Sequence, residues 1–220
     1  MENLKKAVLS TLTYADVFDY PLSASEVWKF LIGHPEIKAD DVQKALSRIN
    51  ADLKLIDVDG KFFFLLGRQK IVNLRKKRER WSKKKFAIAQ RVAKWFRLIP
   101  FIKMVAVTGA LTLLNSDKDD DIDILIVSDR NRLWLTRLWA TILVDLIAKR
   151  RHPSDTDIRD KICLNMFLDE DHLVVPKKEQ DLFSAHEICQ MRPLWDRDGI
   201  YKKFLEENQW VKQFLPNWKP

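Results

Sequence analysis

Two aspartates separated by a single residue open an apolar run in the middle of this chain, Asp121-Ile-Asp123-Ile-Leu-Ile-Val127. Side chains two residues apart on an extended strand point to the same face of the sheet. The spacing therefore predicts that the carboxylates of Asp121 and Asp123 project together, while the isoleucines between and after them enter a core. Neighbouring carboxylates repel each other unless a cation lies between them. Ligation by oxygen alone suits Mg²⁺, which also keeps waters and shares substrate phosphates.

A glycine lies upstream, where another apolar stretch ends. The pattern predicts a buried strand over Phe101–Thr108 and a turn with a short helix over Gly109–Asn115. Glycine lets the backbone approach a phosphate closely, and the amides at a helix start favour negative charge. A phosphate site joined to a metal site by a short connection indicates nucleotide binding. Metal-assisted in-line attack on an α-phosphate follows most naturally.

The run Val105–Val127 resembles the signature of the DNA polymerase beta-like nucleotidyltransferase superfamily. That signature is a strand, a Gly followed by Ser or Gly, a short gap, and then Asp-apolar-Asp-apolar. This chain has Gly109-Ala110, ten further residues, and then Asp121-Ile-Asp123-Ile. The strand–turn–helix–strand context fits as well as the letters do, and the resemblance covers about residues 101–170.

The resemblance implies a metal centre and a phosphate-binding turn. Asp121 and Asp123 would be catalytic and would bind Mg²⁺ or Mn²⁺. Thr108, Gly109 and Ala110 would bind the phosphates of an NTP substrate such as ATP.

Two departures from the family pattern stand out. Ala110 occupies the place where the family usually has Ser or Gly, so a hydroxyl is missing, and Thr108 or Thr112 is the candidate substitute. The family often has a third carboxylate on a later strand, as a metal ligand or a base. The matching strand here, Ile162–Leu168, has Asn165 as its central polar residue, and Asn cannot act as a base. Asp160 and Asp169, at the ends of that strand, are weaker candidates.

The N-terminal segment, residues 1–66, has the order of a winged helix. Apolar residues at helical spacing predict a first helix that closes before Pro21. Ser23, with Glu26 at the capping-box position, predicts a second helix through Ile32. A third helix follows, and Asp59-Gly60 joins two short strands as a hairpin.

Residues 67–99 predict one long basic connector helix. Two rows of residues at heptad spacing follow it: Leu74, Trp81, Ile88 and Trp95, and beside them Ile71, Val92 and Ile99, a row interrupted by Arg78 and Lys85. Between Arg68 and Lys85 there are ten basic residues and one acid, Glu79. Two interpretations stay open, a solvated face linking two domains and a cationic surface for a polyanion.

Residues 100–220 alternate predicted strands and helices and end in a helical tail. The expected fold class is α+β, with an N-terminal winged helix, a long connector helix, and a C-terminal nucleotidyltransferase-like mixed sheet flanked by helices. The helix over Arg132–Lys149 is apolar on most faces, which predicts packing on more than one side. The chain stops soon after an aromatic-rich helix, a pattern also expected of a C-terminally truncated protein.

Charge, cysteine content and hydrophobicity indicate which partners and which cellular compartment to expect. The formal net charge of +8 suggests an anionic partner. Cys163 and Cys189 lack metal-ligand spacing and predict reduced, apolar surroundings in a cytoplasmic protein. Arg137 and Asp145 interrupt the longest apolar stretch, so no membrane partner is expected.

The charged residues allow other interpretations. The acidic run lacks the Gly and Glu that an EF-hand needs at its sixth and twelfth positions, where Ile122 and Ser128 stand. The four histidines show no ligand spacing and are predicted to lie on the surface or in loops. Arg150, Arg151 and Arg159 flank the third strand and either reach a phosphate or are solvated loop charges.

The leading hypothesis is a Mg²⁺-dependent enzyme that transfers a nucleoside monophosphate from an NTP to an unspecified acceptor, such as a nucleic acid or a protein. The alternative is a nucleic-acid-binding regulator with a degenerate, catalytically weak nucleotidyltransferase fold. A third hypothesis is an NTP sensor that signals through the winged helix. Lys44 and Arg48 on its third helix could contact DNA, but Asp40 and Asp41 oppose this.

Overall fold

The computed structural model describes residues 2–220, apart from the side chains of Asp52 and Leu53. The helices are α1 (Glu2–Asp16), α2 (Ala24–Lys29), α3 (Ala39–Arg48), α4 (Lys70–Phe96), α5 (Leu133–Ile147), α6 (Leu182–Gln190) and α7 (Ile200–Glu207). The strands are β1 (Leu22–Ser23), β2 (Ile56–Asp59), β3 (Phe62–Leu65), β4 (Ile102–Val107), β5 (Ile122–Ser128), β6 (Ile162–Asp169) and β7 (Arg192–Asp196). The predicted α+β class is confirmed.

The chain forms two compact units. The first comprises Met1–Lys77, Gln180–Cys189 and Trp210–Pro220, and the second comprises Arg78–Glu179 and Gln190–Gln209. Segments from the C-terminal part of the chain therefore belong to the unit that contains the N-terminus. The predicted domain ranges, 1–66, 67–99 and 100–220, stay a prediction.

The first unit has an element order compatible with the predicted winged helix. Helices α1, α2 and α3 precede the hairpin β2–β3, and β1 pairs antiparallel with β3. The capping box is present: the amide of Glu26 donates to Ser23 Oγ, and the amide of Ser23 donates to the Glu26 carboxylate at 2.8 Å. Helix α2 ends at Lys29, three residues before the predicted end at Ile32.

The predicted connector is one helix, α4, but its two heptad rows differ in burial. The row with Trp95 is the more exposed one, and Trp95 itself keeps 48% of its surface. The other row is buried at Ile71, Val92 and Ile99, and also at Lys85, which is 1% exposed. The basic residue that interrupts the apolar row is therefore an inward-facing side chain.

The second unit is built on a mixed sheet with strand order β6-β5-β4-β7. Strands β5 and β6 are parallel, and the other pairs are antiparallel. A parallel pair needs a crossover, which α5 supplies. β5 has neighbours on both edges, and Ile122, Ile124 and Ile126 are fully buried as the alternation predicts. β7, which the sequence pattern did not indicate, completes the edge beside β4.

Helix α5 packs along one narrow stripe, so the expectation that it packs on more than one side is wrong. Small side chains at Thr136 and Ala140, followed by Val144, form the buried stripe. Large apolar side chains, including Trp134 and Leu146, stay exposed. Hydrophobicity identifies which faces could be buried, but not whether a neighbour is present. Within residues 2–220, no helix combines the length and apolarity needed to cross a bilayer.

One histidine departs from its predicted surroundings. His186, on α6, is 5% exposed, and its ring stacks on Tyr14 with a centroid distance of 4.3 Å. The prediction that every histidine lies on the surface or in a loop is therefore wrong at this position, because the imidazole packs against the rings of Tyr14 and Phe30.

Candidate metal and nucleotide site

The turn after β4 and the start of β5 lie at the same end of the strands in the sheet. The two strands are antiparallel neighbours, with Val107 opposite Ile124. The end of one strand therefore lies beside the beginning of the next. The amide of Thr108 donates to the carbonyl of Asp123 at 3.2 Å, which fixes the glycine turn next to this aspartate.

The structure brings the two predicted carboxylates together. Asp121 immediately precedes β5, and Asp123 is its second residue. Potential ligand atoms of Asp121, Asp123 and Cys163 all lie within 4.8 Å of one another. All three residues are half-buried. The role of the two aspartates as metal ligands stays a prediction.

Gly109 lies in contact with this group. Its φ of +66° is in the left-handed region, where glycine is favoured. A Cβ atom added to Gly109 would lie 3.2 Å from Asp123 Oδ2. The four other glycines also have positive φ values, but an added Cβ would have no neighbour within 4 Å at any of them in the described chain. A side chain at residue 109 would thus fill the space beside the carboxylate.

The thiol of Cys163, on β6, lies beside Asp123. The parallel register pairs Asp123 with Cys163. Asn165, the residue predicted to match a third carboxylate, is exposed and lies in the register shift where Leu164 pairs with Ile124 and Met166 with Leu125. The sequence contains no mark of this shift. One feature of the sequence could have indicated that Cys163 lies beside Asp123. Each residue directly follows an isoleucine near the start of its strand, Ile162 for Cys163 and Ile122 for Asp123.

The two weaker candidates for a third carboxylate both have other partners. Asp160 accepts a hydrogen bond from Lys85 Nζ at 2.8 Å. Asp169 pairs with Ser128 at the far end of β5 and is bonded to His172 Nδ1 at 2.7 Å. At roughly 3.3 Å per residue, that end lies about 17 Å from Asp123, so Asp169 belongs to a different part of the sheet.

Arg151 supplies a positive charge at the site. Its Nη1 donates to Asp121 Oδ2 at 2.7 Å and lies 4.0 Å from the sulfur of Cys163. Its neighbour Arg150 is instead paired with Asp145 at 2.8 Å. Of these two arginines, Arg151 is therefore the one placed to reach a ligand. Its guanidinium provides part of the counter-charge that two adjacent carboxylates require.

The electrostatics favour a further cation beside Asp123. Burial, and then the charge of Asp121, raise the pKa of Asp123 above its ordinary value. Burial, followed by the two nearby carboxylates, raises the pKa of the Cys163 thiol to about 12. The thiol is therefore neutral near pH 7. A cation between the two aspartates would offset the cost that opposes ionisation of Asp123.

The acidic residues before the site organise the loop that leads into it. Asp120 Oδ2 accepts from the amide of Asp117 at 2.7 Å and from Ser116 Oγ at 3.2 Å. Asp119 is exposed. Asp119 therefore lies on the surface of the loop, whereas Asp120 closes the loop through its own hydrogen bonds.

The hydroxyls expected to replace the missing serine are not presented to solvent. Thr112 Oγ1 donates to the carbonyl of Gly109 at 2.8 Å. Thr108 Oγ1 is buried without a hydrogen-bond partner among the described residues. Ala110 is exposed and is the second residue of the 3₁₀ turn Gly109–Leu113. Both threonines are buried, so neither offers the missing hydroxyl at the surface of this turn.

Comparison of the chain with family models, with curated proteins and with solved structures found no significant match. The resemblance to nucleotidyltransferases thus depends on the residues quoted above.

Proposed function

We propose that this protein is a Mg²⁺-dependent nucleotidyltransferase, acting in the cytoplasm, that transfers a nucleoside monophosphate from an NTP to an acceptor hydroxyl or phosphate. One observation carries the proposal: Gly109, whose added Cβ would lie 3.2 Å from Asp123 Oδ2, borders the cluster of Asp121 and Asp123. A metal held by the carboxylates would therefore lie next to a polyphosphate bound at the turn.

The donor set fits Mg²⁺ or Mn²⁺. Mg²⁺ is usually bound through one or two carboxylates together with substrate phosphates and waters, and Mn²⁺ accepts the same oxygen ligands. Asp121 and Asp123 provide two such carboxylates, and burial together with the charge of Asp121 raises the pKa of Asp123. Mg²⁺ bound there would act as a Lewis acid toward the α-phosphate.

The surrounding residues have distinct tasks in this proposal. Asp121 and Asp123 would hold the metal. The Gly109-Ala110 turn leaves space for phosphate oxygens because it has no side chain larger than a methyl group. Arg151, which now donates to Asp121, would exchange that carboxylate for a phosphate oxygen, a strong partner for a guanidinium.

The test is transfer of label from NTPs that carry radioactive phosphorus at the α-position. The purified protein is incubated with each NTP, Mg²⁺ or Mn²⁺, and fractions of a cell extract as the source of acceptor. We expect a labelled acceptor with the wild-type protein and none with Asp121→Asn or Asp123→Asn. Asp119→Asn, an exposed change in the same loop, is the matched control and should retain activity. Full activity in both site variants would exclude this site.

A nucleic-acid-binding regulator with a degenerate site is the second candidate, favoured by a thiol rather than a third carboxylate beside Asp123, at Cys163. Exposed basic residues on α4, such as Lys76, Lys77 and Arg80, are compatible with a polyanionic partner. Titration with labelled DNA and RNA at two salt concentrations separates the candidates. Tight, steeply salt-dependent binding without nucleotide transfer favours the regulator, and transfer that requires Asp121 favours the enzyme.

A further inference from the structure

Lys85 is a buried lysine on α4 whose side chain is 1% exposed. A buried ammonium is costly unless every proton has an acceptor and a negative charge is close. In surface helices lysine normally extends into water, so this position calls for a specific reason.

Three acceptors surround the ammonium. Lys85 Nζ donates to the carbonyl of Asp120 at 2.6 Å, to the carbonyl of Lys118 at 3.1 Å and to Asp160 Oδ1 at 2.8 Å. All three donor positions of the ammonium are thereby used. The carbonyl of Asp120 belongs to the peptide that leads directly into Asp121.

These contacts join the two segments that enter β5 and β6. The amide of Asp160 also donates to the carbonyl of Asp120 at 3.1 Å, and the amide of Ile122 donates to the carbonyl of Lys161 at 2.8 Å. Asp160 has a φ of +59°, a backbone conformation that nearby contacts must maintain. Lys85 thus holds the two strands together immediately before the carboxylates and the thiol of the site.

Other polar residues on the same face of α4 hold the loop further upstream. Ser82 Oγ accepts from the amide of Ser116 at 3.0 Å, and Arg78 Nε lies 3.8 Å from Asp117 Oδ2. Arg78, Ser82 and Lys85 are spaced four and three residues apart, so they share one helical face. Of the three, Lys85 makes the contact next to Asp121.

We propose that Lys85 is a positioning residue for the metal site: it fixes the backbone at Asp120 and Asp160 and thereby sets the direction in which the Asp121 carboxylate projects. This inference rests on the proposed function. Groups that orient metal ligands without touching the metal typically contribute about 10- to 100-fold to metal affinity.

The experiment measures Mn²⁺ affinity by electron paramagnetic resonance for the full chain and its variants. Lys85→Met removes the ammonium at similar length, and we expect about 10- to 100-fold weaker Mn²⁺ binding. Lys85→Arg keeps the charge and the donors and should recover part of the affinity. Lys84→Met, an exposed lysine one residue away on the same helix, should bind Mn²⁺ like the wild type. Circular dichroism at the titration temperature establishes that each variant is folded.

The outcomes separate this inference from the proposed function. Wild-type affinity in folded Lys85→Met, with Mn²⁺ bound by the wild-type protein, overturns the positioning role and leaves the proposed function intact. Absence of Mn²⁺ binding by the wild-type protein overturns both. Where Lys85→Met fails to fold, Asp160→Asn decides, because it removes the charged partner of Lys85 at a side chain that is 47% exposed. Weaker Mn²⁺ binding by that variant supports the inference, and unchanged binding contradicts it.

Discussion

The thiol of Cys163 lies beside the carboxylate of Asp123. The two residues are register partners on the parallel strands β5 and β6, and their potential ligand atoms lie within 4.8 Å of each other. A carboxylate at residue 163 would therefore lie beside the two aspartates, and a single substitution supplies it.

Cys163→Asp should strengthen metal binding. A third carboxylate adds an oxygen ligand and a negative charge, and we expect Mn²⁺ affinity to rise about tenfold. Without metal, a third charge in the half-buried cluster should lower the free energy of unfolding by about 1–3 kcal/mol. Calorimetric titration with Mn²⁺ and chemical denaturation in a chelator measure the two effects. Cys163→Ser is the uncharged control, and equal Mn²⁺ affinity in the two variants would contradict the placement of residue 163.

Gly109→Ala should impair ligand binding, whereas Gly33→Ala should not. Both glycines have a φ of +66°, so each substitution costs about 1–2 kcal/mol of stability for the left-handed backbone. Only at Gly109 would the new Cβ lie 3.2 Å from Asp123 Oδ2. Thermal unfolding measures the loss of stability that both variants share. Titration with a fluorescent NTP in Mn²⁺ measures the loss of nucleotide affinity expected for Gly109→Ala alone. Equal nucleotide binding by the two variants would show that the space beside Gly109 is not used.

Asp123→Asn should stabilise the metal-free protein while it removes activity. Burial and the charge of Asp121 raise the pKa of Asp123 in the folded protein. Stability contributed by the protonated form is present below the ordinary carboxyl pKa and is lost as the pH rises through the raised value. A neutral amide avoids that loss, so the melting temperature at pH 7 in a chelator should rise by a few degrees.

Asp121→Asn is the comparison for this effect, because it also removes the partner of Arg151 and should not stabilise the protein. A lower melting temperature for Asp123→Asn than for the wild-type protein would mean that the carboxylate is not under electrostatic stress.

His186 should make the first unit sensitive to acid. Burial lowers its pKa from 6.5 to about 4, so the unfolded chain binds the proton more readily than the folded protein. The stability contributed by neutral His186 is complete above pH 6.5 and is lost as the pH falls toward 4, by about 3 kcal/mol in total. Denaturant unfolding measures the free energy of unfolding of His186→Phe and of the wild-type protein at these pH values. The decrease in the variant should be smaller than that in the wild-type protein by about that amount. An identical pH dependence in the variant and the wild-type protein would contradict the assignment.

Local signals in the sequence predicted much of the site. Alternation of Asp121 and Asp123 with isoleucines fixed the faces of β5 because side-chain direction on a strand follows from backbone geometry alone. The capping box at Ser23 and Glu26 depends on residues three apart, which one helical turn brings together. Such features need no knowledge of the rest of the chain.

Features that depend on distant segments could not be predicted. Cys163 meets Asp123 because of a parallel register that contains a shift, and no residue pattern marks it. The sequence alone indicates that Lys85 is a solvated charge. Its burial becomes evident only from the contact between α4 and the loop that carries Asp120. Similarly, the apolar faces of α5 predicted a second neighbour, which the described chain does not provide at Trp134 or Leu146.

The most direct measurement is anomalous X-ray scattering from crystals of the protein grown with Mn²⁺ and a non-hydrolysable NTP analogue. The account predicts one Mn²⁺ peak at about 2.1 Å from an oxygen of Asp121 and an oxygen of Asp123, as expected for oxygen ligation, with the analogue's phosphates at the Gly109-Ala110 turn. Density for the analogue with Mn²⁺ elsewhere, or no peak between the two carboxylates at saturating Mn²⁺, would contradict it.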